Sequence, residues 1–305
     1  MSGLVVSFWG KGGSGKSTVA AAAALAYAMR GLRVLAVSTD PTPALGLILC
    51  GRERAHMLHC GDVTVLEVDE EDVKRLWVER FGDEVYEVAS AFLPVEKDIV
   101  NYVAGAPGIT DQYMLYLVYS LHRKQDYDVI VWDTAAAGGS LRLLRVEEEL
   151  YRHLGDAARL YLRIRGSLEK LRRREKAKTP LELIEEWRRL ARGILDFLAS
   201  PSHRLNIVSQ PDRLGLHVTR SLIEEFKLHG IEPQAVIANM VLEPETCPDC
   251  RPWQEDAKAQ QEALKELEGL APRLCLLPRL EKRPTTASDL RPLTERLTEC
   301  LPEPP

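Results

Sequence analysis

The sequence predicts an α/β protein, a parallel sheet with two helical insertions, and three observations carry that reading. A short apolar run, Leu4 to Phe8, meets a glycine-rich stretch and then a helical pattern from Ser17 to Arg30, which Gly31 closes. A second apolar run rich in valine and leucine, Arg33 to Val37, follows at once and ends at Ser38-Thr39-Asp40-Pro41. Further runs at Val63–Val68, Val129–Trp132, Arg204–Val208, Ala235–Val241 and Leu274–Leu277 are each bounded by polar or turn residues. Strand, loop, helix and strand in this order open a parallel sheet, because parallel neighbours need a crossover between them.

Between these runs lie two stretches of helical character. Glu70 to Leu121 holds one set, broken near Pro94 and at Pro107-Gly108; Leu141 to Leu198 holds the other, interrupted near Thr179-Pro180. The expected organisation is therefore one domain over residues 1–305 with helical insertions at about 70–121 and 145–200. No internal repeat of the solenoid kind interrupts it. With 45% hydrophobic and 28% charged residues the chain is an ordinary globular one, which excludes a disordered or fibrous protein. A net charge of −5 provides no global field for nucleic acid, so none is expected as a partner. Eight basic residues between Arg163 and Lys178 read as a solvated helix face or as a contact for an acidic surface.

The near-pure apolar run Val19 to Met29 is 11 residues, too short for a bilayer and mostly alanine, so it reads as a buried helix. The first residues lack a basic start and a small-residue cleavage pattern, so no secretory signal is expected. Six cysteines in 305 residues are too few for a disulfide framework. The expectation is a reduced, cytoplasmic protein, with Cys50, Cys60, Cys275 and Cys300 buried or incidental.

Gly10-Lys11-Gly12-Gly13-Ser14-Gly15-Lys16-Ser17 fits G-x-x-x-x-G-K-[ST] without a gap, between a predicted strand and a predicted helix. The glycines let successive backbone N–H groups face one concave site, and the following helix, including Thr18, aims its positive dipole end at the same anions. Lys16 reaches the β- and γ-phosphates of ATP and the Ser17 hydroxyl ligates Mg²⁺. Lys11, a second lysine near the start of the loop, is suited to extend across a two-fold interface into a partner's site, as an arginine finger does in trans. That signature-lysine loop predicts a nucleotide-linked homodimer.

From here the chain resembles the arsenite-pump ATPase (ArsA) family, which also contains the targeting factor for tail-anchored membrane proteins. Ser38-Thr39-Asp40-Pro41 is similar to its switch I, and Asp133-Thr134-Ala135, Gly138 and Ser140 to Leu144 are similar to switch II. Ala106 to Asp111 resembles its Pro-Gly-Ile-Asp-Glu segment, Ile237-Ala238-Asn239 its adenine-contacting Val-Asn-Gln stretch, and Cys247-Pro248-Asp249-Cys250 its C-x-x-C segment. The resemblance implies a parallel-sheet P-loop NTPase core with an inserted helical client-binding subdomain. It implies that Asp40 orients the attacking water, that Asp133 holds Mg²⁺ indirectly, and that Gly138 frees switch II to sense the γ-phosphate. It also implies that Asn239 contacts adenine, that Pro278 flanks it, and that Asp212 stands where the family has a nucleotide-touching glutamate. For Asp40 an Asx turn, and for Asp212 a helix N-cap after Pro211, stay open as alternatives. Cys247 and Cys250 supply two thiolates where structural zinc takes four, so the family's zinc is shared across a dimer; a redox pair and unmetallated cysteines are the other readings.

The chain also departs from the family. Ala136 and Ala137 replace a Pro-Thr pair, Gly139 replaces a histidine, and Thr42-Pro43-Ala44 follows Pro41. With 5 methionines in all, and only Met114 in an insertion, a client groove must rely on Phe92, Leu93, Ile99, Val100, Tyr102, Val103, Tyr113, Leu115, Leu117 and Val118, which otherwise form the insertion's core. Three functions are weighed: delivery of hydrophobic membrane segments to a membrane receptor, an ATPase subunit driving an arsenite or other metalloid pump, and a partition or positioning switch of the ParA/MinD kind. The C-x-x-C and the switch I stretch argue against the third.

Overall fold

A computed structural model describes residues 3–40, 42, 44–52, 56–135, 137–168 and 178–303, without the side chains of 137–144, 146 and 164–168. Pro41, Pro43, Ala136, the side chains of the switch II stretch and most of the basic run therefore lie outside the described residues. The chain forms two compact units, Met1–Asp69 with Ser120–Leu141 and Ala199–Pro305, and Glu70–Tyr119 with Arg142–Leu198.

The first unit is an eight-stranded sheet. Its strands are β1 (Leu4–Trp9), β2 (Val34–Ser38), β3 (Met57–Cys60), β4 (Val63–Glu67), β5 (Val129–Asp133), β6 (His203–Ser209), β7 (Ala235–Val241) and β8 (Leu274–Pro278), in the order β3-β4-β2-β5-β1-β6-β7-β8. All pairings are parallel except β3 with β4. β1, β2 and β5 are buried at every position, which is why they read as continuous apolar runs instead of alternating ones. Helix α1 (Lys16–Ala28) starts one residue earlier and ends two residues sooner than its periodicity suggests. Its alanines, Ala20 to Ala24, are fully buried, since a small side chain on every face lets the helix lie close to the sheet.

Helix α2 (Leu45–Cys50) and the edge strand β3 were not legible in the sequence. Both are short, and β3 alternates exposed and buried residues over only four positions. Helices α8 (Arg213–Leu228), α9 (Arg251–Glu268) and α10 (Arg291–Cys300) complete this unit. α10 packs Leu293 and Leu297 into the alanine-rich core, and Tyr27 Oη beneath it donates to Pro302 O at 2.8 Å.

The cysteines correct the expectation of a reduced chain. All six are paired: Cys50 of α2 with Cys60 of β3, Cys275 of β8 with Cys300 of α10, and Cys247 with Cys250. The Cys50–Cys60 and Cys275–Cys300 pairs have Cα atoms 5.4 and 6.1 Å apart, within normal disulfide range. Spacing along the chain does not reveal these partners because the sheet brings them together.

The second unit is helical: α3 (Glu70–Phe92), α4 (Ile99–Ala104), α5 (Ile109–Lys124, to Tyr119), α6 (Ala137–Leu168, from Arg142) and α7 (Pro180–Leu198). Val100, Tyr113, Met114, Leu115 and Val118 are buried in its core, whereas Leu93 and Tyr102 are exposed. The residues proposed from sequence for a client groove therefore divide between core and surface. Among the described residues no helix is long and apolar enough to cross a membrane.

Candidate functional site

The carboxyl ends of β1, β2, β5, β6, β7 and β8 bring the sequence-predicted residues to one edge of the sheet, where open α/β sheets bind ligands. β1 is central, flanked by β5 and β6 in register Phe8 with Asp133 and Phe8 with Asn206. Gly10 to Gly15 leaves its end. Gly10 has no room for a side chain, since a Cβ would stand 2.2 Å from the backbone oxygen of Val208. Gly15 caps α1 in the left-handed region at φ 88°, and a Cβ there would meet Asn239 Nδ2 at 2.3 Å. Gly12 and Gly13 are exposed on the loop, and Ser14 lies buried beneath it.

Lys16 is 6% exposed, with Nζ donating to Lys11 O at 3.4 Å. Burial lowers its pKa, and the nearby carboxylates of Asp133 and Asp40 oppose that shift. Asp133, fully buried at the end of β5, accepts from Ser38 Oγ at 3.2 Å and from the Ser17 hydroxyl. Burial raises its carboxyl to about 7 against the pull of Ser17 and Lys16. Its Oδ1 and the Ser14 hydroxyl are buried without a hydrogen-bond partner. Orphaned buried oxygens beside a lysine and a serine hydroxyl fit a cation bound with phosphate, so Ser17 and Asp133 suit Mg²⁺.

Asp40 is half-buried at the end of β2. Its Oδ1 accepts from Thr42 N and Thr42 Oγ1, both at 2.9 Å, so the carboxylate forms an Asx turn here. Thr39 N donates to Asp133 O at 3.0 Å and Thr134 Oγ1 to Phe8 O at 2.7 Å, which ties the starts of both switch stretches to the sheet. Gly138 lies in the first turn of α6, where backbone N–H groups lack intrahelical partners.

Thr18, Asn239 and Pro278 line one cleft of about 690 Å³ with Gln210, Met240 and Arg279. Asn239 Nδ2 donates to Ser14 O at 2.9 Å, which pins the loop and leaves Oδ1 as an acceptor suited to the adenine amino group. Gln210 and Met240 were missed by sequence reasoning. Gln210 Nε2 donates to Gly13 O at 3.3 Å, and Met240 sits at φ 61°, a conformation uncommon outside glycine. Only the position of Gln210, at the end of a predicted strand, hinted at this role.

Asp212 is the N-cap of α8, its Oδ1 accepting from Gly215 N at 2.6 Å, which realises the alternative left open by the sequence. Its other oxygen lies 3.9 Å from Lys11 Nζ. Within a single chain, then, Lys11 faces Asp212. Zinc is not supported: Cys247 and Cys250 are bonded to each other, so neither presents the thiolate that zinc needs. Among the described residues no three His, Cys, Asp or Glu side chains gather as a metal site.

A strand, a glycine loop closing on a buried lysine, and a second strand ending in a buried aspartate define a P-loop ATPase. The chain belongs to the anion-transporting ATPase family, whose model matches residues 4–274. An Aquifex aeolicus protein carrying the provisional name arsenical pump-driving ATPase 2 is 29% identical over 276 residues, covering 87% of this chain and 88% of that protein. A second Aquifex aeolicus protein with the provisional name arsenical pump-driving ATPase 1 is 25% identical, over 87% of this chain and 70% of its own length. ATPase get3 of Aspergillus terreus is 24% identical over 275 residues, covering 86% of this chain and 80% of that protein.

Proposed function

We propose that the chain works as a cytoplasmic, dimeric ATPase that binds hydrophobic membrane-protein segments and delivers them to a membrane receptor. The observation that carries the client reading is a set of large apolar side chains left exposed on the helical unit. Leu93, Tyr102, Leu160 and Leu162 are 63%, 79%, 51% and 53% exposed. Scattered singly such residues mean little, but on a helical unit attached to an ATPase core they suit an apolar partner. Relatives named ATPase get3 support the same reading, whereas the pump-driving names of the Aquifex proteins favour a metalloid pump as the second one.

In this reading ATP lies with its phosphates on Gly10 to Ser17 and Thr18, and its base in the cleft by Asn239 and Pro278. Ser17 and Asp133, directly or through water, would hold Mg²⁺, which would supply positive charge against the phosphate oxygens. Lys16 holds the transferred phosphoryl group. Asp40, once released from Thr42, orients the attacking water. Lys11 exchanges Asp212 for the nucleotide of the neighbouring subunit, which links ATP binding to dimer closure. The exchange is cheap, because a 3.9 Å pair with Asp212 half-exposed holds little energy.

Asp40→Asn is the test of the chemistry. ATP affinity should stay within about threefold while turnover falls by roughly 10²–10⁴; retained turnover refutes the role. The client is tested by co-purification with a tail-anchored segment, run beside arsenite stimulation of ATP hydrolysis. Capture without stimulation supports delivery, and the reverse supports the pump.

A further inference from the structure

The helical unit holds a half-open cavity of about 220 Å³ that the nucleotide chemistry does not use. α3, α4, α5, α6 and α7 line it. Five aromatic residues, Trp77, Phe81, Tyr113, Tyr116 and Trp187, dominate its wall, with aliphatic residues between them. Into this lining α6 sets one carboxylate, Glu147, which is 1% exposed. Among the described residues it has no hydrogen-bond or ion-pair partner, and burial alone pushes its carboxyl up to about 8. Burying an unpaired carboxylate is costly, and a core that needed only packing would place a leucine there.

Polar groups beside the aromatic residues are already matched to one another. Trp187 Nε1 donates to Glu84 Oε2 at 2.6 Å. Arg80 donates to Glu84 Oε1 at 3.0 Å and to Tyr116 Oη at 3.1 Å, and its guanidinium lies 4.6 Å from the Phe81 ring centre. Arg80 is therefore committed to Glu84 and Tyr116, and Arg188 of α7 lies on the Tyr151 ring and donates to its hydroxyl, so among the described residues neither cation pairs with Glu147.

We infer that this cavity binds a small organic cation with an apolar body, its ammonium group paired with Glu147 and its ring packed against the aromatic wall. Cations are attracted to aromatic faces as well as to carboxylates, so both features of the lining select the same ligand. A cavity of about 150 Å³ takes benzene, so this one suits a single ring with a short amino chain. The inference does not rest on the client reading, which uses the exposed Leu93, Tyr102, Leu160 and Leu162.

Binding is linked to protons. Glu147 must ionise to pair with an ammonium, so near neutral pH it releases its proton as the ligand enters. The other titratable and charged groups around it among the described residues are Tyr113 and Tyr116 on α5, Glu79, Arg80 and Glu84 on α3, Arg188 on α7, and Glu148 and Tyr151 on α6 itself. Tyr113 stays neutral over this range, since burial raises its hydroxyl to about 12.

The test is isothermal titration of the full chain with 2-phenylethylamine and its neutral counterpart 2-phenylethanol, in buffers of different ionisation enthalpy. The amine should bind saturably, at least tenfold tighter than the alcohol. It should release close to one proton at pH 7 and bind about tenfold tighter at pH 9. Glu147→Gln should abolish the preference, with circular dichroism checking its fold; the proton count on the unmodified protein needs no variant. Equal affinities, no proton release, a preference that survives Glu147→Gln, or no binding of either probe would each overturn the inference.

Discussion

Reducing the protein without denaturing it should lower its stability by an amount the topology sets. A crosslink stabilises chiefly by restricting the unfolded chain, and more so for longer loops. Cys275 and Cys300 are 25 residues apart and Cys50 and Cys60 are 10 apart. Loop-closure entropy assigns these about 3.5 and about 2.7 kcal/mol, roughly 6 kcal/mol together, because the loops do not overlap. Natural domains hold only about 5–15 kcal/mol in total, so the loss is a large share. Cys247 and Cys250 close so short a loop that their bond adds least. Differential scanning calorimetry with and without a phosphine reductant should show the melting temperature of the sheet unit fall by about 10–20 °C. The double variant Cys275→Ser with Cys300→Ser should reproduce the larger share of that fall. Thiol titration under denaturing, non-reducing conditions should find no free thiol. Six free thiols, or an unchanged melting temperature in fully reduced protein, would refute the reasoning.

Gly15→Ala should weaken ATP binding at least tenfold, measured with a fluorescent nucleotide. The left-handed φ costs about 1–2 kcal/mol, and the added carbon displaces Asn239 from Ser14. Asp212→Ala should cost about 0.5–2 kcal/mol of stability in urea unfolding, almost all of it from the lost cap of α8. Glu147 makes stability depend on pH. Its folded carboxyl near 8 lies above its unfolded value, so its proton stabilises the fold at low pH, and this is lost as pH rises from about 4.5 through 8. Glu147→Gln should remove that slope and stabilise the helical unit above pH 8, by on the order of 1–3 kcal/mol in urea titrations.

The phosphate loop was legible because its geometry is local: contiguous glycines and one lysine define it wherever a strand meets a helix. The buried parallel strands were legible for a related reason, since burial on both faces leaves an unbroken apolar run. What escaped is what the tertiary fold alone creates. Nothing near Cys50 points to Cys60 over Cys275, and Lys11 and Asp212 meet only because β1 and β6 are neighbours. Asp40 lies where its motif puts it, but its bond to Thr42 depends on the turn that follows. Glu147 sits in a run of three glutamates, of which 148 and 149 are exposed. Its spacing of three and seven from Leu150 and Leu154 puts it on the apolar face, a signal hidden by its acidic neighbours.

Two indole rings stand at the roots of the nucleotide loops. Trp9 immediately precedes Gly10 and Trp132 immediately precedes Asp133; both are fully buried and their rings meet edge-on at 5.4 Å. Trp9 Nε1 is tethered to Ser7 Oγ and Trp132 Nε1 to Thr39 Oγ1, so neither ring can reorient without moving a strand end. The protein thus carries an intrinsic optical probe in which emission reports how tightly the loops close, and stopped-flow fluorescence can time that closure without any added dye.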